Sequence, residues 1–204
     1  MRRKLYYITT SNMKTIQLGP QVMVSDPCYI EPTWCQIKLD NVRPGNYRAF
    51  HKEHDCGDWG VRSSMIMVVH EEHMYDNLKW KRHKGEVGVD SGQAGIFSYD
   101  TYRKDGLEME VPTIGYDGRN FDWLDFPGDK QEGDDWYKKM CKITLTETGW
   151  GTYSNGLVSR SGLGDGGYQL YVVTKKKQIV AMCIDFAVEE DEVIDFDWYK
   201  EVTV

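Results

Sequence analysis

In the first half of the chain, apolar residues recur in short blocks broken by turn residues, which predicts strands rather than long helices. TIQLG (15–19) and QVMVS (21–25) read as two strands punctuated by Gly19-Pro20. WCQIKL (34–39) follows, then a turn at RPGN (43–46) and the strand YRAF (47–50). SSMIMVVH (63–70) is the longest β-like apolar run, and EVGVDSGQAGIFS (86–98) carries small residues at its centre. The stretch between them, 70–85, is compatible with a helical turn or a wide hairpin.

From Asp100 to Trp136 the period is lost in a segment rich in Asp, Gly and aromatic residues, read as an insertion whose rings dock on the main body. DDWYKKMCKI (134–143) is the best helix, with Asp134 as its expected N-cap and Lys138 and Lys139 towards its end. Strands then resume: 151–160, 168–174 and 178–186, the last two forming a hairpin around Lys175–Lys177. The acidic tail 187–204 still carries apolar residues and is expected to pack back. The pattern as a whole predicts an α+β, β-dominated fold of mainly antiparallel sheets, a sandwich or curled sheet with one or two short helices. Residues 1–204 read as one domain with 100–136 inserted in it.

Composition narrows the function classes. Seven Trp and thirteen Tyr suit sheet faces. A net charge of −7 argues against a nucleic-acid polymer as partner, since a phosphate-backbone binder needs a basic face. The basic knot KWKRHK (79–84) therefore reads as a solvated loop. Five cysteines without a CxxC pair point to reduced thiols. The basic N-terminus is followed by no apolar core of a signal peptide, and no apolar run reaches the ~18 residues of a membrane span. The expectation is a soluble cytoplasmic protein without a membrane partner; homo-oligomerisation is left open, and the sequence requires no cofactor.

The most conspicuous stretch is SGLGDGGYQLYVV (161–173). It lacks the Lys and following helix of a phosphate loop, so its glycines read as turn-formers at the start of a strand. That leaves Asp165, flanked by glycines that let backbone or ligand approach its carboxylate. Val87–Phe97 has the apolar-apolar-Asp-Ser-Gly look of an aspartic-protease half-site. The dyad chemistry needs two such carboxylates, and one motif supplies one. His54, Cys56, His70 and His73 form the only conceivable zinc set, although HEEH places its second histidine one residue too early for the HExxH helix geometry. Asp117, Asp122 and Asp125 invite a calcium reading but lack the EF-hand spacing.

Four stretches in order, SDPCY (25–29), VRPGNYRAF (42–50), VGVDSGQAGIFS (87–98) and residues 161–186, together resemble the motifs of a bacterial and phage domain-of-unknown-function family. The resemblance implies a shared fold more than an activity. By matching position it marks Asp26, Tyr29, Asp90, Asp165, Tyr168 and Asp185; Ser91-Gly92-Gln93 after Asp90 departs from the family pattern. Our expectation is that Asp26, Asp90 and Asp165 converge at one end of the sheets, with Tyr29, Ser91, Gln93 and Tyr168 lining the same hollow. Such an Asp-lined pocket suits a binding module for a small polar ligand, nucleotide-type signals included, or for a protein partner. Two alternatives stand beside it. In one, a metal-dependent hydrolase uses Asp26, Asp90 and Asp165 on a phosphodiester or similar ester, with Arg43, Arg62 and Arg160 as the nearest candidates to stabilise developing charge. In the other, a pure interaction protein such as a phage accessory factor uses exposed aromatics as anchors.

Overall fold

The computed structural model describes residues 14–121, 124, 128–153, 155–188 and 194–202. Asp122 and Asp125 of the calcium reading, the basic N-terminal segment and the acidic run 189–193 lie outside the described residues.

Among the described residues eleven strands form two antiparallel sheets, so the β-dominated α+β expectation holds. The larger sheet contains β1 (Lys14–Leu18), β4 (Gly45–Asp55), β5 (Val61–His70), β6 (Lys81–Val89), β10 (Gly166–Lys175) and β11 (Gln178–Asp185), in the order β1-β4-β5-β11-β10-β6. The smaller contains β2 (Val22–Ser25), β3 (Ile37–Leu39), β7 (Gln93–Ser98), β8 (Trp150–Tyr153) and β9 (Gly156–Arg160), in the order β3-β2-β7-β9-β8. The inner faces meet in one apolar layer, with Ile16, Tyr47, Ile66 and Met182 on one side and Val24, Ile96 and Leu157 on the other.

Both sheets are also covered outside, which explains why their central strands read as continuous apolar runs instead of alternating ones. Outside the larger sheet, Phe50, Met67, Val69 and Cys183 pack under Trp198 and Tyr199. The described part of the tail thus packs back as expected. Outside the smaller sheet lies the helix α1 (Asp134–Thr144), whose Trp136, Met140 and Ile143 meet Met23, Phe97 and Val158. Residues of the 100–136 segment join this layer through Tyr102, which packs against Phe97 and Trp136.

Two expectations are corrected, and one open alternative is decided. The N-cap of α1 is Gly133, in the left-handed region at φ 91°, and Asp134 is the first helical residue. The capping carboxylate comes instead from Asp105, which accepts from the backbone N of Gly133 and of Trp136, each at 2.9 Å. Of the two alternatives for residues 70–85 the helical turn is present, as a 3-10 turn at Glu71–His73, and the hairpin is not, because β5 and β6 are not neighbours. Lys81–Lys84 are not a loop but the start of edge strand β6, where basic side chains discourage pairing with another sheet edge.

Gly95 in β7 leaves no room for a side chain between its own strand and the neighbouring β9. A Cβ there would lie 2.2 Å from the Phe97 ring and 2.5 Å from the Leu157 carbonyl oxygen. Gly95→Ala is expected to cost about 1–3 kcal/mol by overpacking, measured as a fall in the urea midpoint at unchanged m-value.

Candidate functional site: an arginine pocket beside the sheet crossovers

At one end of the sandwich the chain twice passes from sheet to sheet. Asp90–Gly92 carries it from β6 to β7, and Ser161–Asp165 carries it from β9 to β10. The two crossovers are tied together: Ser161 N donates to Gly92 O (2.9 Å), and Gly92 N donates to Asp165 Oδ1 (3.1 Å). The loop after β2 joins them through Asp26. Its carboxylate, fully buried, accepts four hydrogen bonds: from Asp90 N (2.9 Å) and Ser91 N (2.7 Å) at Oδ2, and from Ser91 Oγ (2.7 Å) and Cys28 N (2.8 Å) at Oδ1. The three aspartate-bearing segments therefore meet, but their carboxylates do not face a common hollow.

Each expected site residue has a definite place. Asp26 is a buried lock whose acceptor sites are filled, leaving no lone pair for a metal or ligand. Asp90 is exposed, and its side chain faces Tyr29. The Tyr29 hydroxyl is held above its ordinary value by burial first, then by its hydrogen bonds with Cys35 and Asp90. Ser91 is spent on Asp26. Gln93 is buried and turned towards α1, where Oε1 accepts from Thr144 Oγ1 (2.9 Å). Asp165 is exposed and braces Gly92. Tyr168 is buried, donating its hydroxyl back to Gly164 O (2.6 Å) with its ring edge-on to Phe186. Asp185 accepts from Ala187 N. Asp26 and Asp165 are thus struts, because backbone amides at tight crossovers need acceptors and these two carboxylates provide them.

The histidine–cysteine set does not assemble either. His54 pairs with Arg62 at one end of the β4–β5 ladder, and His70 pairs with Tyr47 at the other. His70 and His73 do sit together, their ring centroids 5.8 Å apart, but Nδ1 of each is already engaged, by Glu72 N and by Asp76 respectively. Among the described residues no three His, Cys, Asp or Glu side chains are grouped to hold a metal ion. Arg43 is paired with Glu72 on the surface.

The concavity at this end lies next to the struts, on their basic side. A pocket of about 210 Å³ is lined by Glu53, Trp59, Arg62 and Arg160, with the Gly162–Gly164 backbone along one wall and Ser63 in its lining. Arg160, at the end of β9, is set by the loop between α1 and β8: Nη2 donates to Glu147 O (2.9 Å) and Thr146 O (3.2 Å), and its guanidinium lies over Gly149, where a Cβ would come within 2.1 Å of Nε. Arg62 Nε is buried with no hydrogen-bond partner. Burial and the nearby Arg62 charge both lower the Arg160 pKa, while Glu53 opposes them. Burial in turn raises the Glu53 carboxyl, against the pull of Arg160. Two guanidiniums and one reluctant carboxylate leave an excess of positive charge, in a chain whose net charge is −7. Trp59 (68% exposed), Val61 and Leu163 form an apolar rim.

The sequence names Arg62 and Arg160 only as hints, because the lining comes from residues 53–63, 92 and 160–164 and no local motif joins them. The signal that could have pointed there is the pair Gly57/Gly60 around Trp59. Both adopt positive φ (64° and 71°) and so build the 3-10 turn that presents this ring.

No protein-family model matches the sequence, and neither a curated protein nor a solved structure matches it significantly. The resemblance drawn from the four ordered motifs therefore rests on those motifs alone. Among the described residues, no helix is long and apolar enough to cross a membrane.

Proposed function

We propose that this protein is a binding module whose working site is the Arg62–Arg160 pocket, and that it holds a small ligand through an oxyanion, phosphate or carboxylate. The observation that carries this reading is the placing of two guanidiniums, Arg62 and Arg160, in the lining of one pocket with Glu53 as its single carboxylate. Guanidiniums suit this task because their planar forks match phosphate and carboxylate oxygens two at a time. The hydrolase alternative is less well supported: Asp26 has no free acceptor site, and although Ser63 in the pocket lining lies 2.9 Å from His51 Nε2, burial presses the pKa of that imidazole down to about 3 and leaves it a weak base.

Calorimetric titration with inorganic phosphate at low ionic strength tests the reading. Binding is expected in the wild type and should weaken at least tenfold in Arg62→Ala and in Arg160→Ala, with Arg43→Ala as an unaffected control. Equal affinity in all four proteins, or none in the wild type for phosphate and for a carboxylate such as citrate, overturns it.

A further inference from the structure

The pocket has more room than a lone oxyanion needs. Its volume of about 210 Å³ corresponds to roughly seven water volumes, yet falls below the ~300 Å³ at which pockets enclose a whole drug-sized ligand. Its occupant therefore has a part inside and a part outside. Inside, in the same lining as the guanidiniums, Glu53 offers an acceptor to a hydroxyl of the ligand. Outside, the nearest surface is the Trp59 ring, held by a closed turn: Gly57 N donates to Asp55 Oδ1 (3.0 Å), Gly60 N to Gly57 O (2.9 Å) and Cys56 N to Gly60 O (3.0 Å). A large ring on a braced turn is ordered before any ligand arrives, so stacking on it loses little entropy. Val61 and Leu163, both exposed, extend the apolar shelf.

An oxyanion, then a hydroxylated linker, then a flat apolar face is the chemical order of a nucleotide. Resting on the anion-binding reading above, we infer that the ligand is a nucleoside 5′-monophosphate. Its phosphate lies between Arg62 and Arg160, its ribose hydroxyls face Glu53, and its base stacks on Trp59. A free mononucleotide is favoured over the end of a nucleic-acid strand, because a chain of charge −7 repels the phosphates that would follow.

The test compares the affinities of inorganic phosphate, ribose 5-phosphate, adenosine and guanosine 5′-monophosphates, and a 5′-phosphorylated oligonucleotide. Affinity is expected to rise from phosphate to ribose 5-phosphate, and about tenfold or more again to at least one mononucleotide, the range that one base stacked on an aromatic ring supplies. Trp59→Ala should abolish that last step while leaving phosphate affinity unchanged. Glu53→Ala should bring the ratio of ribose 5-phosphate to phosphate affinity close to one. If phosphate binds but mononucleotides bind no better, or if Trp59→Ala leaves the ratio intact, the nucleotide assignment fails and the anion pocket stands. An oligonucleotide that binds far more tightly than either mononucleotide overturns the assignment in favour of a strand end. Absence of binding by every probe removes both readings.

Discussion

Asp26→Ala is expected to lose about 3–5 kcal/mol of folding stability, whereas Asp165→Ala, in the neighbouring crossover, loses about 1 kcal/mol or less. The difference follows from what each carboxylate holds. Asp26 is 0% exposed and serves four donors from two separate loops. Its removal leaves two amides of the β6–β7 crossover, the Cys28 amide and the Ser91 hydroxyl facing a hole too small to hydrate freely. Each buried donor left alone costs about 1–3 kcal/mol, and relaxation recovers part of the sum. Asp165 is exposed and accepts one bond, which water replaces. For a chain of this length the Asp26 variant should melt roughly 10 °C or more below the wild type, and Asp26→Asn should not rescue it, because an amide NH₂ would point at one of the donors. Thermal melts of the three variants decide the matter. Equal losses for Asp26→Ala and Asp165→Ala would contradict the lock and return both residues to the list of candidate ligands.

The same pair of residues shows what the chain reveals by itself and what it withholds. An Asp followed by Pro, and an Asp among glycines, mark tight backbone geometry, and the structure places the second in a crossover and the first in a loop bound to one. Whether such a carboxylate faces a ligand or a row of amides depends on which other loops arrive beside it, and that is settled only when the two sheets stack. Strand positions were legible because apolar blocks must be buried, and each inferred block carries strand, although 86–98 and 151–160 each divide into two strands, the first pair in different sheets. Strand order was not, since β5 is followed in the chain by β6 yet flanked in the sheet by β4 and β11. Lys81–Lys84 look like loop because a charged edge strand and a loop present the same residues to water. The capping of α1 by Asp105, across 28 residues from Gly133, lies equally beyond any local pattern. The arginine pocket was hidden for the same reason: its charge is assembled from β5 and the end of β9, which neighbour each other only across the sandwich.

Acid is expected to weaken the fold by about 3 kcal/mol between pH 7 and pH 4 through His51 alone. The imidazole sits beneath the pocket, stacked on Trp150 at 5.1 Å between centroids, with Nε2 2.9 Å from Ser63 Oγ. Burial, and after it the Arg160 charge, press its pKa from 6.5 down to about 3. The unfolded chain takes up this proton below pH 6.5 and the folded chain does not until about pH 3, so stability falls with pH across that window. The lowered carboxyls of Asp76, beside Lys175 and His73, and of Asp117, beside Arg119, lose their contributions only as pH drops below the ordinary carboxylate value of 3.8. Glu53 has the opposite sign, since its raised carboxyl makes the folded state the better proton acceptor just above 4.5, and it offsets part of the His51 slope there. His51→Gln keeps a polar atom near the Ser63 hydroxyl and removes the titration. Its urea midpoint should therefore stay nearly level from pH 7 to pH 4 while that of the wild type falls; parallel slopes would show that His51 is not the titrating group. An anion bound between Arg62 and Arg160 cancels the second cause of the depression but not the first. Saturating phosphate should accordingly raise the pH at which the wild-type slope levels off while leaving its onset near pH 6.5, which couples the stability of the sandwich end to the occupancy of its pocket.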